Sequence, residues 1–244
     1  MKKATVILFS ALAVVLCGCV HFDGSGSQTV KGSGNVVTEA RQVSGFDQVG
    51  VTGSGHLSIV QGDTESLTIE ADDNLLPLIK SEVSGGLLKI GPENVNLSPS
   101  RTIRYQLKVK NVRGLLLAGS LEAEAPSIQT DHLRLVISGS GSIHVPKLEA
   151  GELVVQVSGS GNVQLAGKVN RQTVQISGSG NYRAGDCESQ ETGIQVSGSG
   201  DATVWAHQKL DAHVSGSGDV SYYGSPQVNT QVSGSGGVHP KGNK

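Results

Sequence analysis

Large side chains are scarce in this chain. Aromatic residues make up 3% of its 244 positions, which argues against a thick globular core built on bulky rings. Cysteines number three, at positions 17, 19 and 187; with Cys17 lost in processing and Cys19 modified, as read below, Cys187 would be left alone and unable to form an internal disulfide. Basic residues do not predominate: 19 Lys+Arg stand against 21 Asp+Glu, with no basic stripe to neutralise phosphates, which excludes nucleic acid as a partner. No apolar run reaches the roughly 20 residues of a membrane-spanning helix. What is abundant is glycine, with 34 copies, much of it beside serine. Such a chain favours a thin core, repeated.

The N-terminus reads as an export signal. Lys2 and Lys3 precede an apolar run from Ala4 to Leu16. The run ends in Leu16-Cys17-Gly18-Cys19, which resembles the lipobox of bacterial lipoproteins. That resemblance implies cleavage after Gly18 and lipid on Cys19, which then anchors the protein to a membrane with enough acyl chain for stable attachment. Val20, where the inner-membrane retention signal is Asp, favours the outer membrane. Residues 1–18 are thus expected as signal peptide, 19–34 as a Gly/Ser-rich tether and 35–240 as the folded domain. Without Lys2 and Lys3 the charge balance is 17 against 21, or −4.

The organising fact is a repeat. Gly-Ser-Gly begins at Gly139, Gly159, Gly178, Gly198, Gly216 and Gly234, in steps of 20, 19, 20, 18 and 18 residues. Earlier copies begin at Gly24, Gly32 and Gly53, and Gly119-Ser120-Leu121 is a degenerate one. This period is too short for helical-hairpin repeats and fits one rung of a parallel β-solenoid. From Val155 to Leu165 apolar and polar residues alternate, with the glycines on the apolar parity and the serines on the polar one. The expectation is therefore inward glycines, where a Cβ would collide in a narrow interior, and outward serine columns through Ser158 and Ser160 and their equivalents. Ser142, Asn162, Asn181, Asp201, Asp219 and Gly237 predict a third column.

The front half is less regular and is read as containing a cap. Asp72-Asp73-Asn74 before Leu75-Leu76-Pro77-Leu78-Ile79-Lys80 is a helix-start signal and predicts a short capping helix near residues 73–80. Leu87–Ile90 and Tyr105–Val109 read as strands, with a loop over Gly91–Arg101. Together with the Val-Ser-Gly-Ser-Gly rungs, Arg41–Asp47, Asp72–Leu76, Val83 and Leu88-Lys89-Ile90 resemble the putative auto-transporter adhesin, head GIN domain family over residues 40–225. The resemblance implies an all-β, right-handed, parallel β-solenoid (β-helix-like) and an envelope location. It assigns no binding residues.

Motifs for chemistry are thin. No Gly-Ser-Gly copy supplies the third glycine of a dinucleotide fingerprint; Gln164 and Arg183 stand at two of those positions. Gly-x-Ser-x-Gly does not occur, which removes the nucleophile elbow. Gly-Ser-Gly-Asp at Asp201 and Asp219 is like calcium-binding nonapeptide repeats, but at twice their period and in two rungs. Those two acids share an offset on neighbouring rungs, too thin a set for the acid/base work of a glycoside hydrolase or lyase. Cys187 has no Cys or His near it in sequence. One feature points to binding: Trp205 and Tyr223 each lie seven residues after a rung's first glycine, with outward parity, and form a candidate patch for a sugar ring or apolar side chain. Tyr182 and Tyr222 have inward parity and are expected in the core.

The reading is a non-enzymatic, lipid-anchored envelope protein of adhesin type that binds a glycan or cell-surface protein and needs no cofactor or metal. A structural envelope component with no external ligand is the alternative; a carbohydrate-active β-helix enzyme is a third. Oligomeric state is left open.

Overall fold

The computed structural model describes residues 28–244; the expected signal peptide and the expected lipid site at Cys19 lie outside the described residues. Four strands open the described residues: β1 (Gln28–Lys31), β2 (Val36–Arg41), β3 (Gln48–Gln61) and β4 (Ser66–Asp72). A 3-10 turn, Leu76–Leu78, leads into a hairpin of β5 (Ile79–Ser84) and β6 (Leu87–Pro92), then β7 (Val95–Ser98) and β8 (Arg104–Val109). The regular stack runs through β9 (Gly114–Glu124), β10 (Ile128–Gly139), β11 (Ser142–Gly159), β12 (Asn162–Gly178), β13 (Asn181–Gly198) and β14 (Ala202–Gly216). The next rung is broken into β15 (Val220–Tyr223) and β16 (Gln227–Gly234), and β17 (Val238–Pro240) stacks on β15 as the start of another. The result is a β-solenoid of about six turns.

Strands from β9 onward pair in parallel with the rung before and after. The period sets the register: Gly139 pairs with Gly159, Gly159 with Gly178, Gly178 with Gly198, Gly198 with Gly216 and Gly216 with Gly234. Inside, like stacks on like. Ile90, Val51, Leu117, Ile137, Val157, Ile176, Val196 and Val214 form one column, each at most 2% exposed. Each such side chain contributes about 1.5–3 kcal/mol by leaving water, so many small contacts replace the missing aromatics.

The two glycines of the motif differ in role. The second, such as Gly161, is buried, and a Cβ there would lie 2.6 Å from Ile137 Cγ2, as the inward expectation requires. The first does not point inward. Gly178 has φ +120°, and a Cβ would lie 2.5 Å from the carbonyl oxygen of Gly159 on the rung below. That conformation turns the chain so that the following serine N–H can donate to the first-glycine carbonyl of the previous rung. The bond recurs at 2.9 Å from Ser140, Ser160, Ser179, Ser199, Ser217 and Ser235. Glycine is needed there to let backbones approach along the stack, a different reason from a crowded interior.

The front end is closed by antiparallel pairing. β4 pairs with β2 and β8, and β5 pairs with β6. The expected helix over 73–80 is reduced to the Leu76–Leu78 turn. Leu75, Leu76 and Ile79 are all buried, and the chain is extended again at Ile79. Its capping residues are occupied elsewhere. Asp72 accepts hydrogen bonds from the N–H of Gly34 (2.8 Å), the N–H of Ser100 (2.9 Å) and the Ser100 hydroxyl (2.6 Å). Asp73 accepts from the Ser33 hydroxyl and from Asn35 Nδ2; Asn74 Nδ2 donates to the Lys31 carbonyl at 2.8 Å. Gln28–Lys31 is a strand paired with β7, and residues 31–35 are clamped to the cap.

The hydrogen bonds from the Ser100 hydroxyl and N–H hold the Asp72 carboxyl below its ordinary value of 3.8. A depressed carboxyl contributes stability above its unfolded pKa and loses it as pH falls through the folded value. The clamp should thus be intact at about pH 5 and open in acid, once the pH has fallen through the folded value below 3.8. Hydrogen exchange, corrected for intrinsic rates, should show amide protection at Gly34 and Ser100 lost on acidification while Ser179 keeps its own. Asp72→Asn should lack that protection before and after acidification.

Candidate functional site

The outer wall carries columns set by the same register. The serine column runs from Ser138 through Ser158, Ser177, Ser197 and Ser215 to Ser233. Beside it, Gln156, Gln175, Gln195, His213 and Gln231 align. Arg134 Nη2 donates to Gln156 Oε1 at 2.6 Å, and Gln156 Nε2 donates to Gln175 Oε1 at 3.1 Å, which holds the amides in one orientation. Toward the cap this column becomes Val136, Leu116 and Gly50. There the wall sinks into an apolar cleft of about 450 Å³, floored by Leu116 and Val136, walled by Leu87 and Pro92, with Lys89 and Glu82 among its polar residues. The cleft exists because Gly50 leaves the floor empty where its neighbours carry side chains. A Cβ at Gly50 would sit 3.6 Å from Leu87 Cδ1, in ordinary contact. Sequence reading missed this site, although Leu116 and Val136 stand at outward positions where later rungs have glutamine.

On the opposite segment of the rungs, Trp205 pairs in register with Tyr223, and both are half-buried. The patch is not open. Lys244 Nζ lies 5.7 Å from the Trp205 ring centroid and 4.5 Å from that of Tyr223, a cation over two aromatic faces. The ammonium is held by donating to the Gly185 carbonyl at 2.7 Å and to Asp186. His207 leans on the Trp205 ring at 5.4 Å between centroids. Tyr182 is fully buried, and Tyr222 is partly buried against the core.

The remaining sequence candidates have structural partners. Asp201 Oδ1 accepts the Asp219 N–H (2.9 Å), and Asp219 Oδ1 accepts the Gly237 N–H (2.8 Å). These acids satisfy the backbone of the next rung. In the same column Asn181 Nδ2 donates to Asn162 Oδ1 at 2.9 Å. Cys187 is buried, and that burial, with the Glu188 charge beside it, pushes its thiol up to about 12, so it is no thiolate nucleophile at neutral pH. A polar recess of about 800 Å³ at the corner between rungs includes Asp47, which is paired with Arg113 at 3.5 Å. Among the described residues, no three of His, Cys, Asp or Glu converge as metal ligands.

Inside the solenoid, one polar cluster interrupts the apolar columns. The Tyr182 hydroxyl donates to Gln172 Oε1 (2.6 Å), and Gln172 Nε2 donates to Ser189 Oγ (2.9 Å) and Thr192 Oγ1 (3.0 Å). The Ser189 hydroxyl in turn donates to the Trp205 carbonyl at 2.8 Å. The cluster is enclosed and satisfied, and it braces the backbone under Trp205.

Comparison with known proteins matches this arrangement. The sequence family described as putative auto-transporter adhesin, head GIN domain, aligns with residues 45–226. A solved putative adhesin from Bacteroides fragilis is 24% identical, with 86% of this chain and 99% of that chain covered and a TM-score of 0.82. A solved putative lipid binding protein from Parabacteroides distasonis is 25% identical, covers 87% and 99%, and has a TM-score of 0.75. A solved putative adhesin from Parabacteroides merdae is 20% identical, covers 87% and 99%, and has a TM-score of 0.70. No curated protein matches.

Proposed function

Because the chain belongs to the putative auto-transporter adhesin, head GIN domain family, we propose that it is a non-catalytic envelope binding protein, lipid-anchored to the outer membrane through Cys19, whose outer wall takes a surface glycan. The observation that carries this reading is the continuity of the apolar cleft with the glutamine and serine columns. Sugar rings present apolar faces and hydroxyl rims. Leu116 and Val136 suit the first, and the fixed amides of Gln156 and Gln175 suit the second. Trp205 and Tyr223 form a second platform, which a ligand reaches by displacing Lys244. The family and the adhesin structures support an adhesin-like role; the lipid, the membrane and the glycan are part of the proposal.

A glycan array probed with the full chain tests it. Gly50→Val, whose Cβ would meet Leu87 Cδ1 in ordinary contact, narrows the cleft and should weaken binding at least about tenfold, close to 1.4 kcal/mol. Trp205→Ala with Tyr223→Ala should weaken it only if the second platform is the one used. Retained binding in both variants would move the site elsewhere. No binding to any glycan, with circular dichroism unchanged, would sink the glycan reading and favour a structural envelope role.

A further inference from the structure

The two ends of the solenoid are finished differently. At the front, the edge strands carry charges, Lys80 and Glu82 on β5 and Glu39 and Arg41 on β2, and their antiparallel partners close the core. Charged edges of this kind resist further pairing. At the far end, the edge on one wall is β17, blunted by Pro240 and followed by Lys241. The edge on the other wall is β16, and nothing blunts it. Its sequence, Gln-Val-Asn-Thr-Gln-Val-Ser-Gly, has no charge and no proline, and all eight residues are exposed. It pairs with β14 on one side and, among the described residues, with no strand on the other.

β16 also ends the core columns. Val228 stacks on Leu210, and Val232 on Val214, which are 0% and 2% exposed; Val228 and Val232 are themselves 38% and 43% exposed. The surface presented here is the one that every inner rung covers with another rung. A partner must therefore add a strand with apolar residues on the same face.

We propose that the partner is a second copy of this chain, joined end to end by antiparallel pairing of the two β16 strands. The capped front rules out a head-to-tail stack, so the contact must be two-fold, with the same surface on both sides. Such a contact needs a strand that reads alike in both directions, and β16 does. With Thr230 on the axis, Val228 meets the partner's Val232, and Val232 meets the partner's Val228, all on the core-facing side. On the outer side Asn229 meets the partner's Gln231, so polar faces polar and no like charges oppose. The two front ends, each with its clamped residues 31–35, then lie at opposite extremes of the dimer. Resting on the lipid anchor proposed above, this pair joins two membrane surfaces rather than two molecules on one.

The test uses full chain reconstituted into two phosphatidylcholine vesicle populations carrying different tags. Residues opposite each other in an antiparallel pair have Cα atoms about 4.5–5.5 Å apart, within disulfide range. Thr230→Cys should therefore form a mixed-tag dimer on mild oxidation. Ser233→Cys should not, because it faces Gln227 of the partner subunit. Thr230→Lys, which sets two ammonium groups together on the axis of an exposed position, should abolish association while leaving the melting curve unchanged. Failure of Thr230→Cys to cross-link in the folded protein overturns the proposal, as does equal cross-linking at Ser233→Cys. Same-tag dimers alone overturn the joining of two surfaces. Glycan binding by Thr230→Lys reports separately on the outer-wall reading, since that substitution touches neither the cleft nor the Gln156–Gln175 amides.

Discussion

Gly178→Ala should destabilise the protein by about 2–6 kcal/mol, although it adds one methyl group. The backbone at Gly178 has φ +120°, which is strained for any L side chain, at about 1–3 kcal/mol. The added Cβ would also lie 2.5 Å from the Gly159 carbonyl oxygen, and overpacking against backbone costs about 1–3 kcal/mol more. Relief would require the rungs to separate, which weakens the bond from the Ser179 N–H to the Gly159 carbonyl. Gly193→Ala is the control. It lies in the next rung, its φ is ordinary and a Cβ there meets nothing within 4 Å. Urea unfolding should place it within about 0.5 kcal/mol of the unmodified protein. If the two variants unfold at the same urea concentration, the close approach of the glycine column is not what holds the rungs in register.

The buried polar cluster gives the second large effect. Gln172→Leu keeps the volume but leaves the Tyr182 hydroxyl without an acceptor at a fully buried site, at a cost of about 1–3 kcal/mol. Tyr182→Phe added to it should recover most of that loss, because a donor and acceptor removed together leave nothing unpaired. Ser189 and Thr192 still reach each other at 2.7 Å, and Ser189 still reaches the Trp205 carbonyl. Thermal unfolding of both single variants and the double variant reads the coupling. A double variant less stable than Gln172→Leu would mean that Tyr182 contributes through packing rather than through this bond.

How legible such features were depends on how far they reach along the chain. The repeat declared the rungs, because a period of 18–20 residues fixes which glycine lies over which. The same arithmetic set Trp205 opposite Tyr223. It could not show Lys244 over their rings, since that ammonium is held at Gly185 and Asp186, 59 and 58 residues away. Gln172 was opaque for another reason. A polar residue normally marks an outward position, and only its pairing between Leu153 and Thr192 reveals that it points inward. At the cap the local signal was a real one, read for the wrong partner. Asp72, Asp73 and Asn74 have the chemistry of helix caps, and they use it to satisfy backbone and side-chain groups some 28–43 residues distant. The cleft depends on the β5–β6 hairpin bending beside Gly50, which no local pattern announces.

The clamp has a mechanical meaning. A pull on the chain ahead of Gln28, directed along β1, loads the parallel β1–β7 bonds side by side, in shear, where they must yield together. What passes that pair arrives at residues 31–35, whose bonds to Asp72, Asp73 and Asn74 spread the force across the cap. The first rung's own ladder is then spared from being peeled one bond at a time. The solenoid is a stack whose weakest direction is unzipping from an end, and this end is fastened crosswise.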